Sequence, residues 1–196
     1  CIPYNKFKKL KKGNYKVKIE SSFTSGSLTY GEIIIPGKYK KEILLSTYIC
    51  HPSMANNELS GPTVAIFLAR WIERKKRNYT YRIVFIPETI GSISYLHKNK
   101  NILKKNVIAG FNITCVGDDR AYSFLPSRNG DTLADRVGLY VIKFFDKKFK
   151  RYSWLDKGGD ERQYCSPEID LPIATLMRSK YGTYKEYHTS LDNLKK

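Results

Sequence analysis

Four runs rich in β-branched and aliphatic residues, 42–50, 79–88, 107–117 and 171–178, punctuate this chain, and helix-patterned segments separate them. Each run has the length and near-continuous apolar character of a strand buried on both faces. After Ser60-Gly61-Pro62 comes "TVAIFLARWIERKKR", with proline in its first turn, an apolar first half and basic residues at its end. That pattern predicts a helix whose first half is buried. "SISYLHKNKNILKKN" predicts an amphipathic helix, and "TLADRVGLYVIKFF" (132–145) predicts a third. Alternating strands and helices imply a three-layer α/β/α domain with a mainly parallel mixed sheet.

Ahead of this alternation, "YKVKIE" (15–20) and "SLTYGEIIIPG" (27–37) flank the turn-like "SSFTSG" and predict a β-hairpin. Residues 1–40 are therefore expected to form a hairpin segment, an insert or a sheet extension, and 41–196 the α/β domain. The chain opens on Cys1 rather than Met, so a fragment of a longer chain is expected.

Composition narrows the partners. A hydrophobic content of 41% argues against disorder. The net charge of +17 raises nucleic acid, anionic lipid or acidic glycan as partners. The lysines, however, are scattered over helix ends and connections, with no zinc-finger spacing and no aromatic-basic sheet signature. Nucleic-acid binding is the lesser reading. Cys1, Cys50, Cys115 and Cys165 show no CxxC spacing, and Cys50 and Cys115, in apolar runs, are expected to be buried thiols. No apolar stretch approaches 18 residues and no signal peptide is visible, so no membrane span and a cytoplasmic location are expected.

In an open parallel sheet, ligands bind beyond the carboxyl ends of the strands. The first core run is followed by His51, Asn57 and Glu58, the second by Glu88, the third by Asp118 and Asp119, and the fourth by His188 and Asp192. Imidazoles and carboxylates converging on one sheet edge form a ligand set for a borderline metal such as Zn²⁺. Alone, each has a plainer use, as a helix cap, a turn residue or a packed ring. "GGDERQYCSP" adds a glycine-flanked loop with Asp160, Glu161 and Arg162, suited to close backbone approach to a substrate. Arg162 is a candidate clamp for a substrate anion. His97, within a lysine-rich helix, receives no role.

In this order, "GSLTYGEIIIPG", "STYICHPSMANNELSGP", "PETIGSISYL", "CVGDD", "GGDERQYCSP" and "YHTSLDN" resemble the aminopeptidase-like domain of bacterial polysaccharide-biosynthesis proteins. That domain belongs to the zinc aminopeptidase and carboxypeptidase superfamily. The resemblance implies that His51 is the first histidine ligand, His188 the last, Glu88 the general base, and Asp118 or Asp119 the later carboxylate ligand. The bridging aspartate of the superfamily falls on Asn57, and Glu58, one position later, replaces it if the helix start shifts. The second glutamate of "Glu-Glu-x-Gly" falls on Thr89, and Ser53 stands where "His-x-Asp" has its aspartate. Asn and Thr in place of two carboxylates remove negative charge that helps hold two ions together, which implies one zinc ion rather than two.

The function expected is a metal-dependent hydrolase with aminopeptidase-like chemistry. It would cleave an amide bond of a peptide or an N-acylated sugar, with Asn57, Asp160, Glu161 and Arg162 lining the substrate and a link to surface polysaccharide biosynthesis. A catalytically weakened accessory domain that binds peptide or amino-sugar is the second reading, and a basic nucleic-acid-binding protein the third.

Overall fold

The computed structural model describes residues 2–195, so the Cys1 and Lys196 ends of the expected segments lie outside the described residues. A single turn of helix, α1 (Tyr4–Phe7), precedes an irregular exposed stretch. Then come β1 (Gly31–Ile35), β2 (Tyr39–Tyr48), α2 (Ser60–Glu73), β3 (Tyr79–Ile86), α3 (Ile90–Asn106) and β4 (Val107–Ile113). β5 (Ser123–Leu125), α4 (Leu133–Phe145), β6 (Lys150–Arg151), α5 (Glu161–Tyr164) and β7 (Ile173–Met177) complete the order.

One sheet holds all seven strands in the order β1-β3-β2-β4-β7-β5-β6. The four apolar runs are its parallel centre: β2 pairs with β3 and β4, and β4 with β7. β1 joins antiparallel to β3, and β5 antiparallel to β7, so the sheet is mixed but mainly parallel.

Because successive strand residues face opposite sides, two cores form. α2 and α4 lie on one face and share Ile43 and Phe111 beneath them. On the other face, Tyr95, Leu96 and Leu103 of α3 and Tyr164 of α5 pack on Leu44, Val84, Ile86 and Ile173. The three layers match the expected architecture.

The hairpin expectation is corrected in one half. The second of its segments is present as β1, an extension of the sheet, but 15–20 form no strand. Apolar and polar residues do alternate there, yet Val17 and Ile19 are 78% and 82% exposed, so nothing rewards the extended pairing. β1 pairs with β3, and Arg82 of β3 ties it to the sheet. Its guanidinium donates to Glu42 of β2 at 2.6 Å and to Glu32 of β1 at 2.6 Å, a network with Arg82 and Glu42 both buried. No helix among the described residues is long and apolar enough to cross a membrane.

Candidate metal centre

The parallel pairing of β3, β2, β4 and β7 brings their carboxyl ends to a single sheet edge. The chain leaves β2 toward β3 through α2 on one face, then passes from β3 to β4 through α3 on the other. The carboxyl end of β2 is therefore where the connections diverge, the usual place for a ligand crevice.

His51 stands just beyond that end. Its Nδ1 lies 3.0 Å from Glu58 Oε2, and its Nε2 lies 3.9 Å from Glu88 Oε2, carried at the end of neighbouring β3. The ring of His188, from the carboxyl-terminal loop, is 4.9 Å from the His51 ring, centroid to centroid. His188 stacks on Tyr187 at 3.9 Å, and its backbone takes a left-handed φ of 55°. Burial and the neighbouring His51 lower its pKa.

A turn of π-helix, Ala55–Leu59, brings Glu58 into place. Leu59 N–H donates to Met54 O, five residues back, at 3.1 Å. The turn holds one more residue than an α-turn would, and such bulges gather at functional sites. Asp192 caps it: its carboxylate accepts Asn56 N–H at 2.6 Å and Asn57 N–H at 3.0 Å. The effect is to point Glu58 at His51 while Asn57 turns inward. Asn57 Nδ2 donates to Tyr48 Oη at 3.1 Å, and Tyr48 is bonded in turn to Thr114. Asn57 thus sits in a neutral network 2% exposed, and its Oδ1 has no hydrogen-bond partner among the described residues.

Behind Glu88 lies a second layer of acids. Glu161 is fully buried and well supplied with donors: Gly158 N–H at 3.0 Å, Gly159 N–H at 2.9 Å and Tyr181 O–H at 2.6 Å on Oε1, and Asn112 Nδ2 at 3.0 Å on Oε2. A Cβ on Gly159 would stand 2.9 Å from Glu161 Oε2 and 3.4 Å from Glu88 Oε1, so both carboxylates converge on that glycine. Asp160 Oδ1 accepts Thr89 N–H and Ser92 Oγ–H, while its buried Oδ2 has no partner among the described residues. Burial, then the charges of Asp160, Glu161 and Glu58, push Glu88 up to about 7, against the opposing charge of exposed Arg162. Burial likewise pushes Asp160 up to about 6.

The expected residues therefore separate into groups. His51, Glu58, Glu88 and His188 share one edge, with Asp160 and Glu161 behind Glu88. The Asp118 carboxylate is engaged elsewhere: Asn56 Nδ2, Arg120 N–H, Ser179 N–H and Ser179 Oγ–H all donate to it. Asp119 is exposed, with Arg178 at 3.5 Å. Cys50, expected as a buried thiol, is instead exposed, because β2 ends two residues before it. Its Sγ is 3.3 Å from His51 Nδ1, and Cys50, His51 and Glu58 offer ligand atoms all within 4.8 Å of one another. The sequence places Asp192 among the strand-end carboxylates without marking it as a cap, and it gives Cys50 no ligand role; the adjacency of Cys50 to His51 is the available signal.

Comparison with known proteins places the family and the fold. Residues 5–196 match the family described as a domain of unknown function, DUF4910. A Clostridium acetobutylicum protein named for polysaccharide biosynthesis with an aminopeptidase-like domain is 45% identical over 193 residues, 98% of this chain. The chain spans 44% of that relative's length. A crystal structure from the same organism, titled as a peptidase, superposes with a TM-score of 0.85 at 43% identity, covering 96% of this chain and 44% of that one. A Zn-dependent exopeptidase from Parabacteroides distasonis shares the fold, with a TM-score of 0.60 at 16% identity over 86% of this chain and 77% of its own.

Proposed function

The chain belongs to the DUF4910 family and carries an aminopeptidase-like α/β fold, and from that premise we propose that it is a zinc-dependent hydrolase of amide bonds. The observation that carries this reading is the position of His51, with one ring nitrogen on Glu58 and the other facing Glu88. An imidazole, a carboxylate and a second imidazole at one sheet edge form a donor set that fits a zinc ion. His51 and Glu58 would hold the ion, and His188 lines the same space. Asp118 and Asp119 stay outside the set, since their carboxylates are engaged elsewhere.

When bound, zinc supplies Lewis-acid activation of water near neutral pH. The chain's own residues do the rest. Glu88, held near 7 by burial and by its acidic neighbours, accepts a proton from water and returns it to the leaving amine. The Gly158-Gly159 backbone and Tyr181 fix the Glu161 side chain behind it, one of the acidic neighbours that raise Glu88. Arg162, exposed beside this loop, faces the anionic end of a substrate. With one ion rather than two, the site suits a peptide or an N-acylated sugar; the family relative's name favours a role beside surface polysaccharide assembly.

One observation favours a second reading, a binding domain without turnover. Asn57 belongs to a neutral network with Tyr48 and Cys115 instead of contributing a carboxylate. One experiment separates the two: protein purified without chelator is assayed for zinc and for hydrolysis of amino-acid amides and N-acetylated amino sugars. Stoichiometric zinc with turnover that Glu88→Gln lowers by about 10²–10⁴ supports the hydrolase. Zinc without turnover supports the binding domain, and zinc retained by His51→Ala overturns both.

A further inference from the structure

Resting on that reading, we infer that the zinc ion has a thiolate ligand, Cys50, which joins His51 Nδ1 and Glu58 in a Cys-His-Glu triad. Three donor atoms stand close enough together to meet on one ion. Cys50 Sγ and His51 Nδ1 are 3.3 Å apart, and His51 Nδ1 and Glu58 Oε2 are 3.0 Å apart. Zinc bonds of 2.0–2.3 Å at tetrahedral angles separate neighbouring ligand atoms by roughly 3.3–3.6 Å. All three atoms fall within 4.8 Å of one another, and His188 is not part of that group.

Two of the donors, Cys50 and Glu58, are also oriented by further hydrogen bonds, as metal ligands are. Glu88 N–H points at Cys50 Sγ at 3.2 Å. Glu58 receives Cys50 N–H on Oε1, which leaves Oε2 turned to the ring. The His51 ring is flanked by Tyr48 and His188. Three protein ligands leave the fourth position for water, the arrangement of a catalytic rather than a structural zinc site. A thiolate also supplies the negative charge that Asn57 and Thr89 do not. On binding, the Cys50 S–H bond breaks, a metal–sulfur bond forms, and the proton leaves to solvent; no electron changes hands. His188 is then free to meet substrate.

The test is optical. Metal-free protein is titrated with Co²⁺, which reports nitrogen and oxygen ligation by visible d–d bands and thiolate ligation by a near-ultraviolet charge-transfer band. The wild-type chain should show both. Cys50→Ser should lose the near-ultraviolet band, keep the visible bands, and bind Co²⁺ at least about tenfold more weakly. His188→Ala should keep both. Visible bands without the sulfur band in the wild type, or a sulfur band that survives Cys50→Ser, would overturn the Cys50 assignment and leave the zinc reading intact. If no visible band forms at all, the zinc reading itself fails and Cys50 falls with it.

Discussion

Asp160 holds Thr89: its Oδ1 accepts the Thr89 backbone N–H at 2.7 Å, in a residue whose φ of 64° places a β-branched side chain in the left-handed region. Such a backbone costs on the order of 1–3 kcal/mol and persists only where its surroundings impose it. Ser92 Oγ donates to the same oxygen, so the strained turn directly after Glu88 is tied to a buried carboxylate more than seventy residues later.

Replacing Asp160 by Ala should therefore remove the acceptor of two buried donors and lower stability by about 2–4 kcal/mol, read from urea unfolding. Asp160→Asn retains an acceptor oxygen and carries no charge to bury. It should be at least as stable as wild type at pH 8. An Asn variant as damaged as the Ala variant would show that the charge, not the hydrogen bonds, is what the turn needs.

The same acids give the metal-free chain a pH dependence of definite sign. Glu88 titrates at about 7 in the fold, above its ordinary 4.5, and Asp160 at about 6, above 3.8. Across those windows the native chain retains protons that the unfolded chain has lost. Their contribution to stability is then fully present below about pH 4, falls as pH rises, and is lost above pH 7. Glu88 contributes up to about 3 kcal/mol to that fall. Chelator-treated protein should melt several degrees lower at pH 8 than at pH 5.5. Glu88→Gln should shrink the drop, and an unchanged slope in that variant would assign the dependence to other groups.

Arg82 makes a prediction about the scaffold. Arg82→Met should cost about 3–5 kcal/mol, because Glu42 is left buried without its cation. Adding Glu42→Leu should recover much of the loss, since a matched apolar pair replaces a broken ionic one. The comparison of the two unfolding free energies checks it.

Gly61 predicts how closely α2 must approach the sheet. A Cβ there would stand 2.3 Å from Thr47 Oγ1 and 2.5 Å from the Ile113 carbonyl oxygen. Gly61→Ala should push the helix off β2 and β4 and cost about 2 kcal/mol or more. Zinc affinity should fall with it, because Glu58 lies just upstream of the displaced helix.

The parallel core was legible because buried strands and helices carry long signals: Tyr39–Tyr48 and Tyr79–Ile86 follow the apolar runs that predict them, and Ile90–Asn106 follows the amphipathic pattern. The short edge strands were not. Lys150–Arg151 has two residues and both are exposed, so no burial pattern marks it. At the site, His51, Glu88 and His188 could be named because they follow strands, and strand ends share an edge in any parallel sheet. Asp118 follows a strand too, yet its carboxylate is occupied by Ser179 and Asn56, partners that sequence spacing does not reveal. Cys50 was misjudged because it continues an apolar run beyond the point where pairing stops.

The π-turn at Ala55–Leu59 carries one residue more than the helix that continues it, and this shifts the reading frame of the motif. Counted back from Ser60-Gly61 at fixed spacing, a pattern search lands on Asn57, an amide, and would score the site as lost. On the proposed reading the acid has moved one place along, to Glu58. Families that differ by such a turn can keep the same chemistry while their motifs fall out of alignment. Deleting one residue between Ala55 and Leu59 should restore an α-helical count, rotate Glu58 away by about a quarter turn, and present Asn57 in its place. A single-codon insertion of this kind can exchange one side chain for its neighbour at a metal without changing either.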